Sequence, residues 1–313
     1  MNTISRRLFL QSAGGLFVTA TTGLGAYAGV IEPGFRLDVT SYNLTPPGWP
    51  PGLRLKAAVI ADIHACEPFM SAARVRAIAE LANAGKPDII LLLGDFNGGH
   101  IYVTGPVMPE QWGEALAVLS APLGSYAVLG NHDWWHGALP DMPGDGGNAV
   151  RKALRAAGIN VLENDAVRLT AGQSAFWLAG LGDQMAHAVT HHLFNGIDDL
   201  SGTLKLINDD APIILLAHEP HIFHRVPERV SLTLCGHTHG GQVNVPILTA
   251  RYAGKRFGNH FYGHIVENNR HMIISAGLGT SNLPVRFLRP PELVFVTLGG
   301  PAAPNDARDS TPA

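Results

Sequence analysis

An α/β fold with two packed mixed β-sheets flanked by helices is predicted by three features of this chain. Short apolar runs recur along it, several of them ending in a polar signature built from Asp, Asn, His and Gly. Segments of helical period separate several of these runs, and further strand-like runs fill the later part of the chain. Runs that are apolar on both faces are what strands look like when another layer covers each side of a sheet, and helices outside two such sheets complete the layering. With 313 residues, 46% hydrophobic and 15% charged, the chain can bury a full core and is not disordered by composition.

At the N-terminus, Ser5-Arg6-Arg7-Leu8-Phe9-Leu10 places two arginines before residues 8–30, which carry no charge and are rich in Gly, Ala and Thr. That order is the n-region and h-region of a signal peptide over residues 1–28, and Ala26-Tyr27-Ala28 offers an A-x-A cleavage site. An uncleaved N-terminal anchor helix is the alternative. The pattern resembles twin-arginine export signals, which carry folded proteins across the inner membrane. It predicts the twin-arginine export machinery as a partner and a periplasmic location or one on the outer face of the cytoplasmic membrane. Beyond this segment no run approaches the roughly 18 apolar residues that span a bilayer.

Residues 35–44 alternate loosely and predict an edge strand, followed by a Pro/Gly-rich turn over 46–52. The apolar run 55–61 leads into Asp62-Ile63-His64, 89–93 into Gly94-Asp95, and 126–129 into Gly130-Asn131-His132-Asp133. Further on, 213–217 leads into His218-Glu219-Pro220, and 230–235 into Gly236-His237-Thr238-His239-Gly240-Gly241. Residues 71–84, 109–120 and 148–157 have helical period, and 174–181, 271–276 and 292–298 read as further strands. One domain over 35–298 is expected, with 299–313 as a loose tail of Pro, Ala, Asp and Ser.

One Asp-x-His at a strand end is most simply a satisfied turn. Five such ends converging on one sheet edge are another matter, because carboxylates and imidazoles are costly to desolvate and ligands in open α/β sheets sit outside the carboxyl ends of strands. A pair of divalent cations would neutralise the cluster.

The ordered blocks D-x-H, G-D, G-N-H-D, H and G-H-x-H, all between Asp62 and His239, resemble the calcineurin-like metallophosphoesterases. The twin-arginine start, Gly277-Leu278-Gly279-Thr280, Pro284-x-Arg286 and Pro291-Glu292 resemble the YkuE/YaeI type of exported bacterial phosphodiesterase, and the likeness covers nearly all of residues 35–298. The resemblance implies a metallophosphoesterase-like αββα sandwich. It assigns Asp62, His64, Asp95 and His239 to a first metal and Asp95, Asn131, His218 and His237 to a second, with Asp95 bridging. A carboxylate can bridge because it has two oxygens, and Asn131 can bind through its carbonyl without adding charge. Imidazoles without thiolate exclude an iron–sulfur site and leave Mn, Fe and Zn open as the two divalent ions.

The implied reaction is attack of a metal-bound hydroxide on a phosphodiester or pyrophosphate bond. The implied substrate is a small-molecule or lipid-linked phosphoester of the cell envelope, with UDP-2,3-diacylglucosamine-type compounds among them. His132 resembles the imidazole that stabilises the transition state or protonates the leaving oxygen, with Asp133 orienting it. Some members of the superfamily are metal-bound, non-catalytic interaction scaffolds; those tend to lose the catalytic imidazole or ligands, and this chain keeps both. Family members often carry a second acid shortly after G-D, where this chain reads Phe96-Asn97-Gly98-Gly99.

The remaining candidates have equally good structural readings. Trp134, Trp135 and His136 can line a substrate mouth or pack in the core. Arg286 can fork onto a phosphate oxygen or hold the C-terminal strand by a salt bridge. Most other histidines, including His191, His192 and His260, read as surface residues, and glycines 94, 130, 236, 240 and 241 as space at tight turns. The formal charge is -3, and residues 1–28 carry Arg6 and Arg7 with no acid, so no nucleic-acid partner is predicted. Cys66 and Cys235 form no disulfide framework and read as buried thiols.

Overall fold

The computed structural model describes residues 21–137, 143–190, 193–245, 249, 251 and 260–299. Residues 1–20 of the expected signal, His191, His192 and the expected tail beyond residue 299 lie outside them. Helix α1 covers residues 21–35, with a π-turn at Tyr27–Ile31. It runs unbroken across Ala26-Tyr27-Ala28 and is tied to the body: the Arg286 N–H donates to the Ala28 carbonyl at 2.9 Å. The fully buried Glu32 carboxylate accepts from the N–H groups of Leu288 (3.0 Å) and Arg289 (2.6 Å). The packed unit therefore begins upstream of residue 35.

Strand β1 (Asp38–Leu44) is the expected edge, and β2 (Leu55–Ile60) follows the turn. Ser71 caps α2 (Ala72–Ala84), its Oγ accepting from the Arg74 N–H at 3.2 Å. The buried stripe of that helix, Val75, Ile78, Ala79 and Ala82, covers β2 and β3 (Ile89–Leu92). Helix α3 (Pro109–Leu116) stops short of residue 120. The Asn83 side chain takes the Val118 carbonyl and the Ser120 N–H, and Pro122 follows. Next come β4 (Ser125–Ala127), the short helix α4 (Asn131–Trp135), α5 (Asn148–Ala156) and β5 (Asn160–Val161). The chain then builds the second sheet with β6 (Asp165–Ala171), β7 (Ser174–Gly180), α6 (Leu200–Lys205), β8 (Ile213–Leu216), β9 (Leu232–Cys235), β10 (Gly263–Glu267) and β11 (Arg270–Ile274). It returns to the first sheet as β12 (Glu292–Leu298).

The first sheet has the order β1-β12-β2-β3-β4-β5 and the second β10-β11-β9-β8-β7-β6. Both are mixed: β12 runs antiparallel to β2, and β10 and β6 antiparallel to their neighbours. Alternation along each strand sorts its side chains between layers. Ala57 and Val59 meet Phe176, Leu178, Ile214 and Leu216 between the sheets, while Ala58 and Ile60 meet Ile78, Trp112 and Leu116 under the helices. A third cluster, with Leu200 and Phe223, covers the far face of the second sheet. Each large apolar side chain so buried contributes about 1.5–3 kcal/mol.

One expectation is corrected by this layering. The five polar signatures do not share one sheet edge. Asp62, Asp95 and Asn131 follow β2, β3 and β4 of the first sheet, whereas His218, His237 and His239 follow β8 and β9 of the second.

Candidate metal centre

Strand ends alone do not aim side chains into a common gap; the backbone after each strand does. Asp62, His64, Asp95, His237 and His239 all adopt positive φ, between 45° and 69°. A non-glycine residue held there costs about 1–3 kcal/mol and persists only where its surroundings impose it. Here the imposition is backbone pairing across the two loops: Asp62 N–H to Gly94 carbonyl at 3.1 Å and His64 N–H to Asp95 carbonyl at 3.0 Å. Two glycines leave the room required. A Cβ on Gly94 would stand 2.4 Å from the Gly130 nitrogen, and one on Gly236 would stand 2.6 Å from Asp62 Oδ2.

The result is two buried groups of donor atoms. Asp62, His64 and His239 form one and Asp95, His218 and His237 the other, the ligand atoms of each lying within 4.8 Å of one another. Asp95 reaches into both, its Oδ2 standing 3.4 Å from His64 Nε2 and 3.2 Å from His218 Nε2. The Nε2 atoms of His64 and His239 approach to 3.0 Å, and Asn131 Oδ1 lies 2.9 Å from His237 Nδ1. All seven residues expected to hold metal are thus brought together.

Carbonyl groups set the tautomers. His64 Nδ1 donates to the Asn97 carbonyl (2.8 Å) and His218 Nδ1 to the Leu93 carbonyl (2.6 Å), since a carbonyl can only accept. In His64, whose imidazole burial holds below its usual range, Nε2 therefore turns a lone pair into the gap. Asp62 Oδ2 is buried with no hydrogen-bond partner, an arrangement costly enough to call for another ligand for that atom. Burial pushes the Asp62 carboxyl up to about 7 and holds the imidazoles of His237 and His239 well below their usual range. Burial also opposes charge on Asp95, but the imidazole of His218 beside it holds that carboxyl well below the usual range. Burial likewise opposes charge on His218, but the Asp95 carboxylate holds that imidazole well above its usual range, so these carboxylates gain from positive charge; with imidazoles and an amide oxygen they are the donor set of divalent Mn, Fe or Zn. The residues fit two such ions.

His132 lies beside this gap, its ring 4.9 Å from that of His64, and its backbone N–H donates to Asp95 Oδ1 at 2.8 Å. Burial, with neighbouring imidazoles, pushes the His132 imidazole down to about 3, so it is a neutral N–H donor at physiological pH. The expected contact from Asp133 to this ring is not made. The two carboxylate oxygens of Asp133 accept instead from the N–H groups of Asp95, Phe96, Asn97 and Gly130 at 2.8–3.2 Å. Asp133 positions the loop that carries Asp95. The partner of His132 Nε2 is Ser281 Oγ, at 3.3 Å.

Ser281 was missed in the sequence, although it directly follows the Gly277-Leu278-Gly279-Thr280 block. Arg286 follows neither of its two expected roles. Fully buried, it donates to the carbonyls of Ala276, Gly277, Gly279 and Arg289 at 2.5–3.1 Å and stands 3.4 Å from His239 Nδ1. It shapes the wall against Asp62 and His239. Trp134 packs against the helix-side core under Arg151, and Trp135 stacks on Phe194 at 5.2 Å. His260 is partly buried against Glu267 at 2.7 Å, not a free surface residue. Cys66 and Cys235 are buried free thiols. Behind His218 a buried carboxyl pair, Asp183 and Glu219, also escaped notice; burial and then Glu219 push Asp183 well above the usual range.

This geometry can be set beside known proteins. The calcineurin-like phosphoesterase family model matches residues 55–241. The metallophosphoesterase YkuE of Bacillus subtilis (strain 168) is 32% identical over 312 residues, which cover 95% of this chain and 99% of that one. A metallophosphoesterase of Aquifex aeolicus (strain VF5) is 31% identical over 88% of this chain and 97% of its own. The phosphodiesterase YaeI of Escherichia coli (strain K12) is 28% identical over 88% of this chain and 93% of its own. The matched segment runs from β2 to the G-H-x-H loop and so contains both donor groups and His132: the chain belongs to the calcineurin-like phosphoesterase family and is a metal-dependent phosphoric ester hydrolase.

Proposed function

We propose that this chain hydrolyses phosphodiester or pyrophosphate bonds of a small-molecule or lipid-linked cell-envelope metabolite, after export by the twin-arginine route. The observation that carries the chemistry is Asp95, whose one carboxylate oxygen lies within 3.4 Å of imidazoles from both donor groups. Asp62, His64 and His239 would hold one ion and Asn131, His218 and His237 the other, with Asp95 shared between them. Two divalent ions so held supply a nucleophile from water at neutral pH and offset charge on the phosphoryl oxygens.

The chain's own residues do the rest. The Asn97 and Leu93 carbonyls keep His64 and His218 in the tautomer that binds. Asp133 fixes the Asp95 loop through three of its backbone N–H groups, which keeps that carboxylate in place during turnover. His132 stands at the open side with Ser281, where its ring N–H donates to the leaving oxygen as charge builds there. A phosphodiester is favoured by the name of the Escherichia coli relative, and a UDP-2,3-diacylglucosamine-type pyrophosphate belongs in the screen.

Metal analysis of the purified chain is expected to find about two equivalents of divalent ion. Bis(p-nitrophenyl) phosphate should be hydrolysed with Mn²⁺ added, and a chelator should abolish the rate. Metal-free protein that cannot be loaded and turns over no mono- or diester would overturn the reading. Export has a separate test. Replacing Arg6 and Arg7 with Lys keeps the charge and is expected to strand the protein in the cytoplasm; undisturbed export of that variant on fractionation removes the twin-arginine assignment.

A further inference from the structure

The side chains around the open side of the metal centre are unusually apolar for exposed loops. Ile101 is 70% exposed, and Tyr102, Leu283 and Leu288 are each more than half exposed. These loops form one connected surface. The Asn282 N–H donates to the Gly99 carbonyl at 3.0 Å, which sets the 99–102 loop beside 281–283. Ser281 in the same loop touches His132, and Arg286 further along touches His239. The loops that carry the rim thus also touch the metal centre.

Helix α1 joins this rim directly. Its Ala28 carbonyl takes the Arg286 N–H, its Glu32 carboxylate takes the Leu288 and Arg289 N–H groups, and Tyr27 lies edge-on to Phe287. With Glu32 turned inward, the helix exposes Leu24 (53%), Ile31 (45%) and Phe35 (78%). Val30, beside Ile31, is exposed as well (52%). No charge occurs in the sequence from Leu8 to Ile31. Arg6 and Arg7 then close the run.

We propose that α1 and the loops at the mouth of the metal centre form a membrane-docking rim, which presents the centre to phosphoesters held in a lipid bilayer. A bilayer fits better than a second copy of this chain. The exposed apolar residues of α1 are continuous in sequence with an uncharged segment of the kind that partitions into lipid, ended by arginines of the kind that stay at headgroups. Apolar side chains spread around a mouth, with the reactive groups recessed behind them, suit an interfacial surface that buries its apolar tips to headgroup depth. The proposal deepens the reading of the centre as a phosphoesterase, on which its catalytic arm rests.

The full chain can be tested with an environment-sensitive dye on an introduced cysteine, because Cys66 and Cys235 are both buried. Dye on Ile101→Cys or Leu283→Cys is expected to shift to the blue when vesicles of phosphatidylethanolamine and phosphatidylglycerol are added. Dye on Leu206→Cys, exposed at the end of α6, is expected not to respond. Vesicle binding with no response at 101 and 283 would mean that the rim faces water and would overturn the proposal. A blue shift on concentrating the protein without lipid would assign the rim to a second copy and overturn it equally. In the catalytic arm, Ile101→Ser with Leu283→Ser is expected to lose about tenfold or more on p-nitrophenyl phosphatidate in vesicles. The same variant should keep its rate on soluble bis(p-nitrophenyl) phosphate; equal losses on both, or on neither, would overturn the docking role. A wild-type chain inactive on the soluble ester would instead count against the phosphoesterase reading and leave the dye measurement standing.

Discussion

Asp95→Asn is expected to empty both cation positions together and abolish turnover. The substitution keeps the shape and leaves an oxygen to accept the His132 backbone N–H that Asp95 Oδ1 now takes. What it removes is the negative charge between the two donor groups, where Oδ2 stands 3.4 Å and 3.2 Å from the nearest imidazoles. Losing a group that only supports a ligand costs about 10–100-fold in metal affinity or activity, and a ligand shared by two ions should cost more than that at each. Loss of about two metal equivalents is therefore the expected signature. Retention of one full equivalent would show that Asp95 belongs to a single site, and normal metal content with normal turnover would end the two-ion account.

Removing His132 should divide substrates by their leaving groups. Whether the ring gives up a proton or acts as the neutral N–H donor that its burial favours, its benefit grows with the charge left on the departing oxygen. An alkoxide is strongly basic, so His132→Ala should lose about 10²–10⁴-fold on alkyl esters, or roughly 3–5 kcal/mol of barrier. A nitrophenolate departs without help and should lose much less. Metal content and fold should persist, because the ring holds neither a donor position nor a large core contact. Equal loss on both ester types would place the ring on the phosphoryl group instead of the leaving oxygen. Loss of metal would make it a ligand.

Much of the site was legible before any coordinates. A run such as Ile89–Leu92 is apolar on both faces, so the Asp that ends it stands out, and the same holds for Asp62, Asn131, His218 and His237. Roles that depend on direction were not legible. His132 and Asp133 are neighbours in sequence, which suggested that one orients the other. On α4 consecutive side chains do not face each other, so Asp133 turns back to the 95–97 loop while His132 turns out to Ser281. Arg286 read as a phosphate or salt-bridge residue because its charge is visible in sequence; the ring of carbonyls that consumes its donors is not. Strands β5, β6 and β10 went unseen because their residues are largely half-exposed and lack the dense apolar signal of central strands.

The sequence by itself determined the donor inventory, the strand-end position of each donor and the covered, two-faced character of the central strands. Only the tertiary structure decided that the donors come from two sheets, that the carboxyl ends of β2, β3 and β4 open on the same gap as those of β8 and β9, and that α1 packs beside that gap. Periodicity records which faces of an element must be buried, and it does so locally. It carries no label for the partner. The bond from His218 to Leu93 spans 125 residues and the contact of His64 with His239 spans 175, and such pairings are selected by how the sheets stack over their shared apolar layer.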